Sequence, residues 1–158
     1  MTDLNLVSLS VRGLGNCQKR REVFNSLIAK GFSIYFLQET HSSEKSMPFW
    51  LAEWGYKALF NSWSSVIAGV AILINNNFPF ESERSFTDSE GRFIICDIKV
   101  DRKVITLANI YPPYEDNPQF FEAILNHLEV FKSEKIIIGG NFNLEMKVRS
   151  SQLCLRFQ

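Results

Sequence analysis

The feature that most restricts the fold is a strand–helix–strand pattern at the start of the chain. Residues 4–10 are apolar and rich in β-forming types, and they are followed by Gly13, which indicates a buried strand and a turn. Residues 18–30 carry apolar side chains at helical spacing and stop at Gly31, which predicts an amphipathic helix. Residues 33–38 form a second short apolar run. This order predicts a βαβ unit.

The rest of the chain continues the mixture of strands and helices. Further strands are expected at 56–61, 68–75, 93–100, 103–111 and 135–138. Residues 48–54 are expected to form a short helix, and Asn117-Pro118 opens a longer one with a broad apolar face. Asp101-Arg102 separates two strands as a tight hairpin turn. The pattern predicts one mixed α/β domain.

Charge limits the partners that the chain can bind by electrostatics alone. Its 158 residues include 17 basic and 17 acidic side chains, so the formal net charge is zero. Binding to nucleic acid depends largely on neutralising phosphates, so this balance argues against tight non-specific binding, although a local basic face is compatible with it. The one tight basic cluster, Lys19-Arg20-Arg21, is interpreted as a solvated helix face.

Cysteine spacing and hydropathy indicate the compartment. Cys17, Cys96 and Cys154 are odd in number and widely spaced, which predicts neither a zinc site nor a disulfide framework. We interpret them as buried thiols in a reducing environment. We find no signal peptide and no transmembrane run. The expected location is intracellular, either nuclear or cytoplasmic, with no membrane partner.

Polar residues follow four of the predicted strands. They are Ser10, the run Gln38-Glu39-Thr40-His41, the run Asn109-Ile110-Tyr111, and the run Asn141-Phe142-Asn143. Ligands of α/β sheets tend to gather beyond the carboxyl ends of strands. A carboxylate, a phenol, amides and an imidazole meeting there would suit a hard cation such as Mg²⁺ beside a phosphate.

Five short motifs point to a known family. They are GLGN at 13–16, FLQETH at 36–41, SEGRFI at 89–94, NIYPP at 109–113 and IIIGGNFN at 136–143. In this order they resemble the apurinic-type endonuclease domain of non-LTR (LINE-type) retrotransposons, a branch of the endonuclease/exonuclease/phosphatase family. The resemblance covers about residues 4–143.

The resemblance implies an α/β fold of the DNase I-like type, a two-sheet sandwich flanked by helices. It also implies that residues 1–143 form a partial domain, incomplete at its C-terminus, and that residues 144–158 are a tail outside the family. The family's activity is Mg²⁺-dependent hydrolysis of phosphodiesters in DNA, so the resemblance implies Mg²⁺ as cofactor and DNA as partner.

Individual positions take roles from the same resemblance. Glu39 matches the family's metal-binding Glu, and Tyr111 matches the Tyr that contacts the scissile phosphate. Asn143 matches the Asn that supports the site. His41 and Asn109 are expected to contact substrate.

Two positions depart from the family pattern. Asn141 stands where the family carries its catalytic Asp, and a neutral amide cannot act as a carboxylate base. Ser10 stands where the family usually carries an Asn. The family's late Ser-Asp-His segment has no counterpart before the chain ends. The resemblance therefore implies a DNA-nicking phosphodiesterase that is weak or inactive, and the alternative is a non-catalytic retrotransposon remnant or binding module.

Ordinary structural interpretations stay open for the same residues. Glu39 could be a solvated or capping carboxylate, and Tyr111 could anchor a loop. Asn141 and Asn143 could be turn residues, because Asn tolerates left-handed backbone geometry. His127 flanks the apolar face of its predicted helix and is interpreted as structural.

Overall fold

The chain folds into two mixed β-sheets that pack face to face. The structure is a computed structural model that describes residues 2–131 and 133–142. The first sheet contains β1 (Leu6–Ser10), β2 (Ile34–Gln38), β3 (Ala58–Asn61) and β4 (Val70–Ile74), in the order β1-β2-β4-β3. The second contains β5 (Glu81–Thr87), β6 (Phe93–Val100), β7 (Lys103–Ile110) and β8 (Lys135–Gly140), in the order β5-β6-β7-β8.

Three helices cover the outer faces of the sheets in the described residues. They are α1 (Cys17–Lys30), α2 (Met47–Trp54) and α3 (Pro118–Phe131). Helix α1 connects the parallel strands β1 and β2, and α3 lies between the parallel strands β7 and β8. Both connections are βαβ-like crossovers, which place the carboxyl ends of their paired strands at one edge. None of these helices is long and apolar enough to cross a membrane.

The alternation of strand side chains divides the core into three clusters. Phe36 and Ile72 face the second sheet, where they meet Ile94 and Leu107. Their neighbours along β2 and β4 face the other way and pack under α1 and α2, around Trp54. A third cluster lies between the second sheet and α3. Successive strand residues point to opposite faces, so a strand that is covered on both sides is apolar throughout.

Local capping confirms the predicted helix ends. The Asn16 side chain accepts a hydrogen bond from the Lys19 backbone N–H at 2.9 Å, and Gly31 closes α1 in the left-handed conformation with φ of 71°. The Asn117 side chain accepts from the Phe120 N–H at 3.1 Å, with Pro118 as the first helical residue. These contacts satisfy backbone groups that a helix terminus otherwise leaves unpaired.

The predicted hairpin is also confirmed. Strands β6 and β7 pair from Val100 opposite Lys103 to Phe93 opposite Ile110. Asp101 and Arg102 have φ of 49° and 67°, which is the positive-φ pair that a two-residue type I′ turn requires. Such a turn sets the register of the whole hairpin.

Two features of the strands differ from the sequence-based expectation. Strand β5 was not predicted, because its sequence ESERSFT is polar and each of its residues is exposed. It lies at the edge of its sheet and pairs only with β6 among the described strands. Strand β1 was expected to be buried but is mostly half-buried, because it lies at the edge of the first sheet in the described part of the chain.

The interpretation of the basic cluster on α1 was wrong for Arg20. Arg20 is only 7% exposed, and its guanidinium donates to both carboxylate oxygens of Glu53, at 2.6 and 2.8 Å. It also lies 5.1 Å from the ring centroid of Trp50. Lys19 donates to two backbone carbonyls of the preceding loop, and Arg21 is exposed. Arg20 is therefore a buried structural residue, whereas Lys19 and Arg21 are exposed as interpreted.

The cysteines differ in burial, and His127 packs against an aromatic ring. Cys96 is buried, as interpreted, whereas Cys17 is exposed at the start of α1, so the expectation of a buried thiol was wrong there. Cys154 lies outside the described residues. His127 stacks on Phe86 with ring centroids 3.8 Å apart, which is a packing contact.

Arg84 holds the exposed strand β5 against α3. Its Nε donates to Asp97 Oδ2 at 2.9 Å, and its Nη2 donates to the Phe131 carbonyl at 2.6 Å. The guanidinium also lies 4.4 Å from the Phe131 ring centroid. Asp97 is 2% exposed and accepts a second hydrogen bond from Thr106 Oγ1 at 2.6 Å. Arg84 thus neutralises a buried carboxylate and caps the end of α3.

We expect Arg84→Leu to lower the free energy of unfolding by about 2 kcal/mol, measured by urea denaturation. Removing one partner of a buried pair can cost about 3–5 kcal/mol, but the Arg84 side chain is 49% exposed, so water screens part of the interaction. Adding Asp97→Asn should recover part of the loss. The control is Glu81→Gln, which breaks the exposed pair of Lys99 and Glu81, 3.7 Å apart. Equal losses of stability from Glu81→Gln and Arg84→Leu would contradict the role of Arg84 in holding β5 against α3.

Candidate active site

The side chains expected to form the site lie at the carboxyl ends of the parallel strands of both sheets. Ser10 is the last residue of β1, and Glu39 follows β2. Tyr111 follows β7, and Asn141 follows β8. Both parallel pairs deliver their polar ends to the same edge of the sandwich.

One carboxylate oxygen joins three of these strand ends. Ser10 Oγ donates to Glu39 Oε1 at 2.7 Å, and Asn141 Nδ2 lies 3.3 Å from the same oxygen. Ser10 and Glu39 are 29 residues apart in sequence, and Glu39 and Asn141 are 102 apart. Glu39 is half-buried, so its carboxylate is held by neighbours while it keeps contact with solvent.

The backbone around Glu39 is held in an uncommon conformation. Glu39 and His41 have φ of 56° and 52°, values that cost non-glycine residues of order 1 kcal/mol or more and that recur at functional sites. The Gly13 N–H donates to the Glu39 carbonyl at 2.6 Å, and the Leu14 N–H donates to the Thr40 carbonyl at 2.9 Å. The GLGN loop therefore holds the QETH segment from one side.

The loop before β4 holds the same segment from the other side. The Thr40 N–H donates to the Gly69 carbonyl at 3.0 Å, and the His41 N–H donates to the Ala68 carbonyl at 2.9 Å. A Cβ on Gly69 would overlap the Thr40 hydroxyl and would lie 3.1 Å from the His41 backbone nitrogen, so a larger residue does not fit there. These hydrogen bonds preserve the turn that presents Glu39.

Tyr111 sits between charges of opposite sign. Burial raises the pKa of its phenol, Glu39 raises the pKa further, and Arg92 opposes both effects. The Arg92 guanidinium carbon lies 5.2 Å from the Tyr111 ring centroid. The phenol therefore stays protonated at neutral pH and is a hydrogen-bond donor.

Asn109 lies beneath the site and bridges the two sheets. Its side chain is fully buried, and its Nδ2 donates to the carbonyls of Leu37 at 3.0 Å and Ala71 at 2.8 Å. Gln38 Nε2 donates to Asn109 Oδ1 at 2.8 Å and to Ser8 Oγ at 3.0 Å. A residue with no exposed surface cannot touch substrate in this state, so the expected substrate contact of Asn109 gives way to a structural one.

His41 and Asn143 are the remaining residues of the expected site. The His41 imidazole is half-buried and lies against the GLGN loop, since a Cβ on Gly13 would be 2.7 Å from its Nδ1. Asn143 lies outside the described residues, so its position relative to Glu39 stays a prediction.

Arg92 and Gln38 lie beside the candidate site, and the sequence interpretation assigned neither of them an individual role. A signal for Arg92 was present, because the predicted hairpin with Val100 opposite Lys103 carries Arg92 to the position opposite Tyr111. The Tyr111 N–H indeed donates to the Arg92 carbonyl at 2.7 Å. Gln38 opens the polar run after the second predicted strand, but its inward contact with Asn109 depends on the second sheet and could not be predicted locally.

The oxygen donors at the site fit a weakly held hard cation. The described residues contain no group of three or more His, Cys, Asp or Glu side chains that could hold a metal. Mg²⁺ is commonly held by one or two carboxylates, several waters and substrate phosphate oxygens. Glu39 supplies one such carboxylate, and the Ser10 hydroxyl and the Asn141 amide lie beside it.

Sequence comparison identifies a transposon-encoded relative. The chain is 29% identical over 149 residues to the transposon TX1 uncharacterized 149 kDa protein of Xenopus laevis. The match covers 92% of this chain and 11% of that protein. No protein-family profile matches the chain.

Structural comparison identifies a 3′ phosphatase and two AP endonucleases among the chains of similar fold. The 3′ phosphatase NExo from Neisseria, bound to product DNA hairpin, superposes with a TM-score of 0.67 and 21% identity, over 90% of this chain and 58% of that one. AP endonuclease LMAP from Leishmania major gives 0.67 and 16%, over 89% and 55%. An AP endonuclease from Archaeoglobus fulgidus gives 0.65 and 21%, over 87% and 56%.

The chain thus spans a little over half the length of these solved chains and about a tenth of the transposon protein. At these identities the superpositions establish the architecture of the described residues. The two facing sheets, the outer helices and the neighbouring folds agree with the expectation drawn from the QETH, NIYPP and GNFN motifs. The described residues have a DNase I-like two-sheet fold, which these solved chains share.

Proposed function

We propose that this chain carries the site of a metal-dependent phosphodiesterase that nicks DNA, with hydrolysis weakened by Asn141. The observation that carries the proposal is the meeting of Ser10 and Asn141 at the Glu39 carboxylate, beside the strand end that presents Tyr111. The transposon relative and the DNA-bound phosphatase of the same fold support DNA as the substrate. Such a function would place the chain inside the cell, in the nucleus or the cytoplasm.

The described residues would bind and orient a phosphodiester. The protonated Tyr111 phenol would donate a hydrogen bond to a non-bridging phosphate oxygen. Glu39 would hold Mg²⁺, which when bound neutralises phosphate charge and lowers the pKa of a water molecule. Ser10 fixes the Glu39 carboxylate through the hydrogen bond of 2.7 Å. Asn143 is proposed to support the site, and His41 to contact a neighbouring part of the DNA.

Asn141 is the reason to expect slow hydrolysis. An amide beside the attacking water can hold it by hydrogen bonds, but it cannot take its proton or contribute negative charge. General-base assistance is typically worth about 10² to 10⁴ in rate. The binding groups can therefore be in place while the proton-accepting group is absent.

The test is conversion of supercoiled plasmid to open circle, with Mg²⁺ and with a chelator. We expect slow nicking at most, sensitive to chelator and abolished by Glu39→Ala, whereas Glu129→Ala on the exposed face of α3 should have no effect. Nicking that persists in chelator or in Glu39→Ala would contradict the proposed site. Rapid nicking by the unaltered chain would contradict the attenuating role of Asn141.

A second candidate function is a non-catalytic DNA-binding module or retrotransposon remnant. The amide of Asn141 near Glu39 favours it, because a binding module has no need of a base. This alternative predicts DNA binding that is equal with and without Mg²⁺ and no nicking under either condition. The proposed enzyme predicts that Mg²⁺ strengthens binding through Glu39.

A further inference from the structure

An exposed apolar surface lies on the loop that connects β3 to β4. Residues 62–69, which we call the rim loop, carry Trp63, Val66 and Ile67 with exposed fractions of 54%, 70% and 51%. Single exposed apolar side chains are common on proteins, whereas several large ones on one short segment are typical of a contact surface. The rim loop is therefore a candidate for contact with a partner.

Local contacts hold the rim loop in this exposed form. Ser64 Oγ accepts from the backbone N–H groups of Val66 at 3.3 Å and Ile67 at 3.1 Å, which is a turn that serine side chains commonly close. A Cβ on Gly91 would lie 2.9 Å from the Trp63 backbone nitrogen, so the start of the rim loop is packed against the loop before β6. The three apolar side chains are thus exposed by a defined backbone.

The rim loop lies at the same edge of the sandwich as the candidate site. The hydroxyls of Ser62 and the buried Ser42 share a hydrogen bond of 2.7 Å. At the other end of the loop, the carbonyls of Ala68 and Gly69 accept from backbone N–H groups of the QETH segment. Both ends of the rim loop are therefore bonded to the chain that directly follows Glu39, and DNA bound at Glu39 has this loop as a neighbour.

The chemistry of the rim loop fits a nucleobase and not a phosphate. Apolar side chains offer a phosphate neither charge nor hydrogen bonds, whereas the flat faces of bases stack on aromatic rings. In a paired duplex those faces are covered by neighbouring base pairs, so they become available where a base is unpaired. The formal net charge of the chain is zero, and stacking adds affinity that does not depend on phosphate neutralisation.

We propose that the rim loop binds an unpaired base of DNA next to the phosphodiester at Glu39, with Trp63 stacked on the base and Val66 and Ile67 as its apolar surround. The inference rests on the proposed function and names the substrate class as single-stranded or locally unpaired DNA. Every base has a π-face, so the preference is for unpaired structure and not for a particular sequence.

Trp63 supplies its own fluorescence signal for the test. The chain has three tryptophans, and Trp50 and Trp54 are only 3% and 1% exposed. Unlabelled oligothymidine added to the full chain, in Mg²⁺ and again in chelator, should quench the fluorescence of Trp63 by stacking. Trp63→Phe should lose this quenching and keep most of the affinity for fluorescein-labelled oligothymidine, measured by anisotropy, because a phenyl ring also stacks on bases.

Removing the ring should weaken the binding of unpaired DNA. We expect Trp63→Ala to lower the affinity for oligothymidine, and for a duplex with a run of unpaired thymines, by about tenfold or more. The affinity for a fully paired duplex should fall by less than about threefold. The slope of log K against log salt should not change, because no phosphate contact is lost. Equal losses on paired and unpaired DNA, or a reduced salt slope, would overturn the inference.

Val66→Ala and Val130→Ala form a matched pair of variants. The two valines are 70% and 63% exposed, and Val130 lies at the end of α3 that leads into the start of β8, away from the strand ends of the site. Val66→Ala should weaken the binding of unpaired DNA by about threefold, since it removes two apolar carbons from the contact. Val130→Ala should leave binding unchanged, and equal effects of the two would overturn the inference.

The remaining outcomes separate this inference from the proposed function. Binding of oligothymidine without quenching of Trp63 would overturn the inference and leave the proposed function standing. Equal affinity of Trp63→Ala and the unaltered chain for every DNA would indicate a protein-contact surface and also overturn it. Absence of binding to any DNA, in Mg²⁺ and in chelator, would overturn both. If Trp63→Ala fails to fold, quenching in the unaltered chain and its loss in Trp63→Phe decide the question.

Discussion

Asn109→Leu should lower the free energy of unfolding by about 3 to 5 kcal/mol. Leucine has a similar size but leaves the Leu37 and Ala71 carbonyls and one Gln38 N–H without their partner. Each buried group that loses its hydrogen bond costs about 1–3 kcal/mol, and the three costs are not fully additive because the groups are neighbours. The loss is large beside the roughly 5–15 kcal/mol of a typical domain.

Urea denaturation measures this effect, and Asn25→Leu is the matched control. Asn25 is exposed on α1, where a surface substitution should change stability by about 0.5 kcal/mol or less. A change below about 1 kcal/mol for Asn109→Leu would show that the sheets are held together by apolar packing alone. A large change would establish the buried amides as the connection that keeps the strand ends of both sheets in place.

Asn141→Asp should raise the affinity of the chain for Mg²⁺ by about tenfold or more. The Asn141 amide nitrogen lies 3.3 Å from a Glu39 oxygen, so the new carboxylate would share a cation with Glu39. Even in an effective dielectric of 20, unit charges about 4 Å apart interact by about 4 kcal/mol, and tenfold requires only about 1.4 kcal/mol. Part of the attraction is offset by dehydration of the ion, to which Mg²⁺ is reluctant.

Isothermal titration and Mg²⁺-dependent thermal melts check this prediction. Without Mg²⁺ the two carboxylates repel each other, so Asn141→Asp should melt at a lower temperature than the unaltered chain. Added Mg²⁺ should reverse the order, because a ligand that binds only the folded state stabilises it. Glu39→Gln in the Asn141→Asp background should remove the gain. Asn126→Asp adds the same charge on exposed α3, and an equal gain there would contradict a shared site.

Motifs at strand ends indicated which polar side chains would converge, because they combine local and global constraints. Glu39 and Asn141 each follow an apolar run, so their positions after β2 and β8 followed from periodicity. Parallel pairing in both βαβ-like units then brought Glu39 and Asn141 together. The prediction that they converge needed only the rule that parallel strands end at a common edge.

Residues whose roles depend on distant partners were interpreted less well. Arg20 was taken as part of a solvated face, and its burial depends on Glu53, 33 residues away. Asn109 was taken as a substrate contact, and its burial depends on Leu37 and Ala71, 72 and 38 residues away. The sequence alone does not distinguish a polar side chain that faces solvent from one that bonds to a buried carbonyl.

The sequence by itself determined the order of the elements, the caps of α1 and α3, the turn at Asp101-Arg102 and the motifs at the strand ends. These depend on apolar periodicity and on turn chemistry, which act over a few neighbouring residues. Only the tertiary structure decided that the exposed strand β5 exists, that Asn109 joins the sheets, and that Arg92 faces Tyr111. Each of these requires a partner supplied by another element, and pairing between distant segments is set by the packing of the whole sandwich.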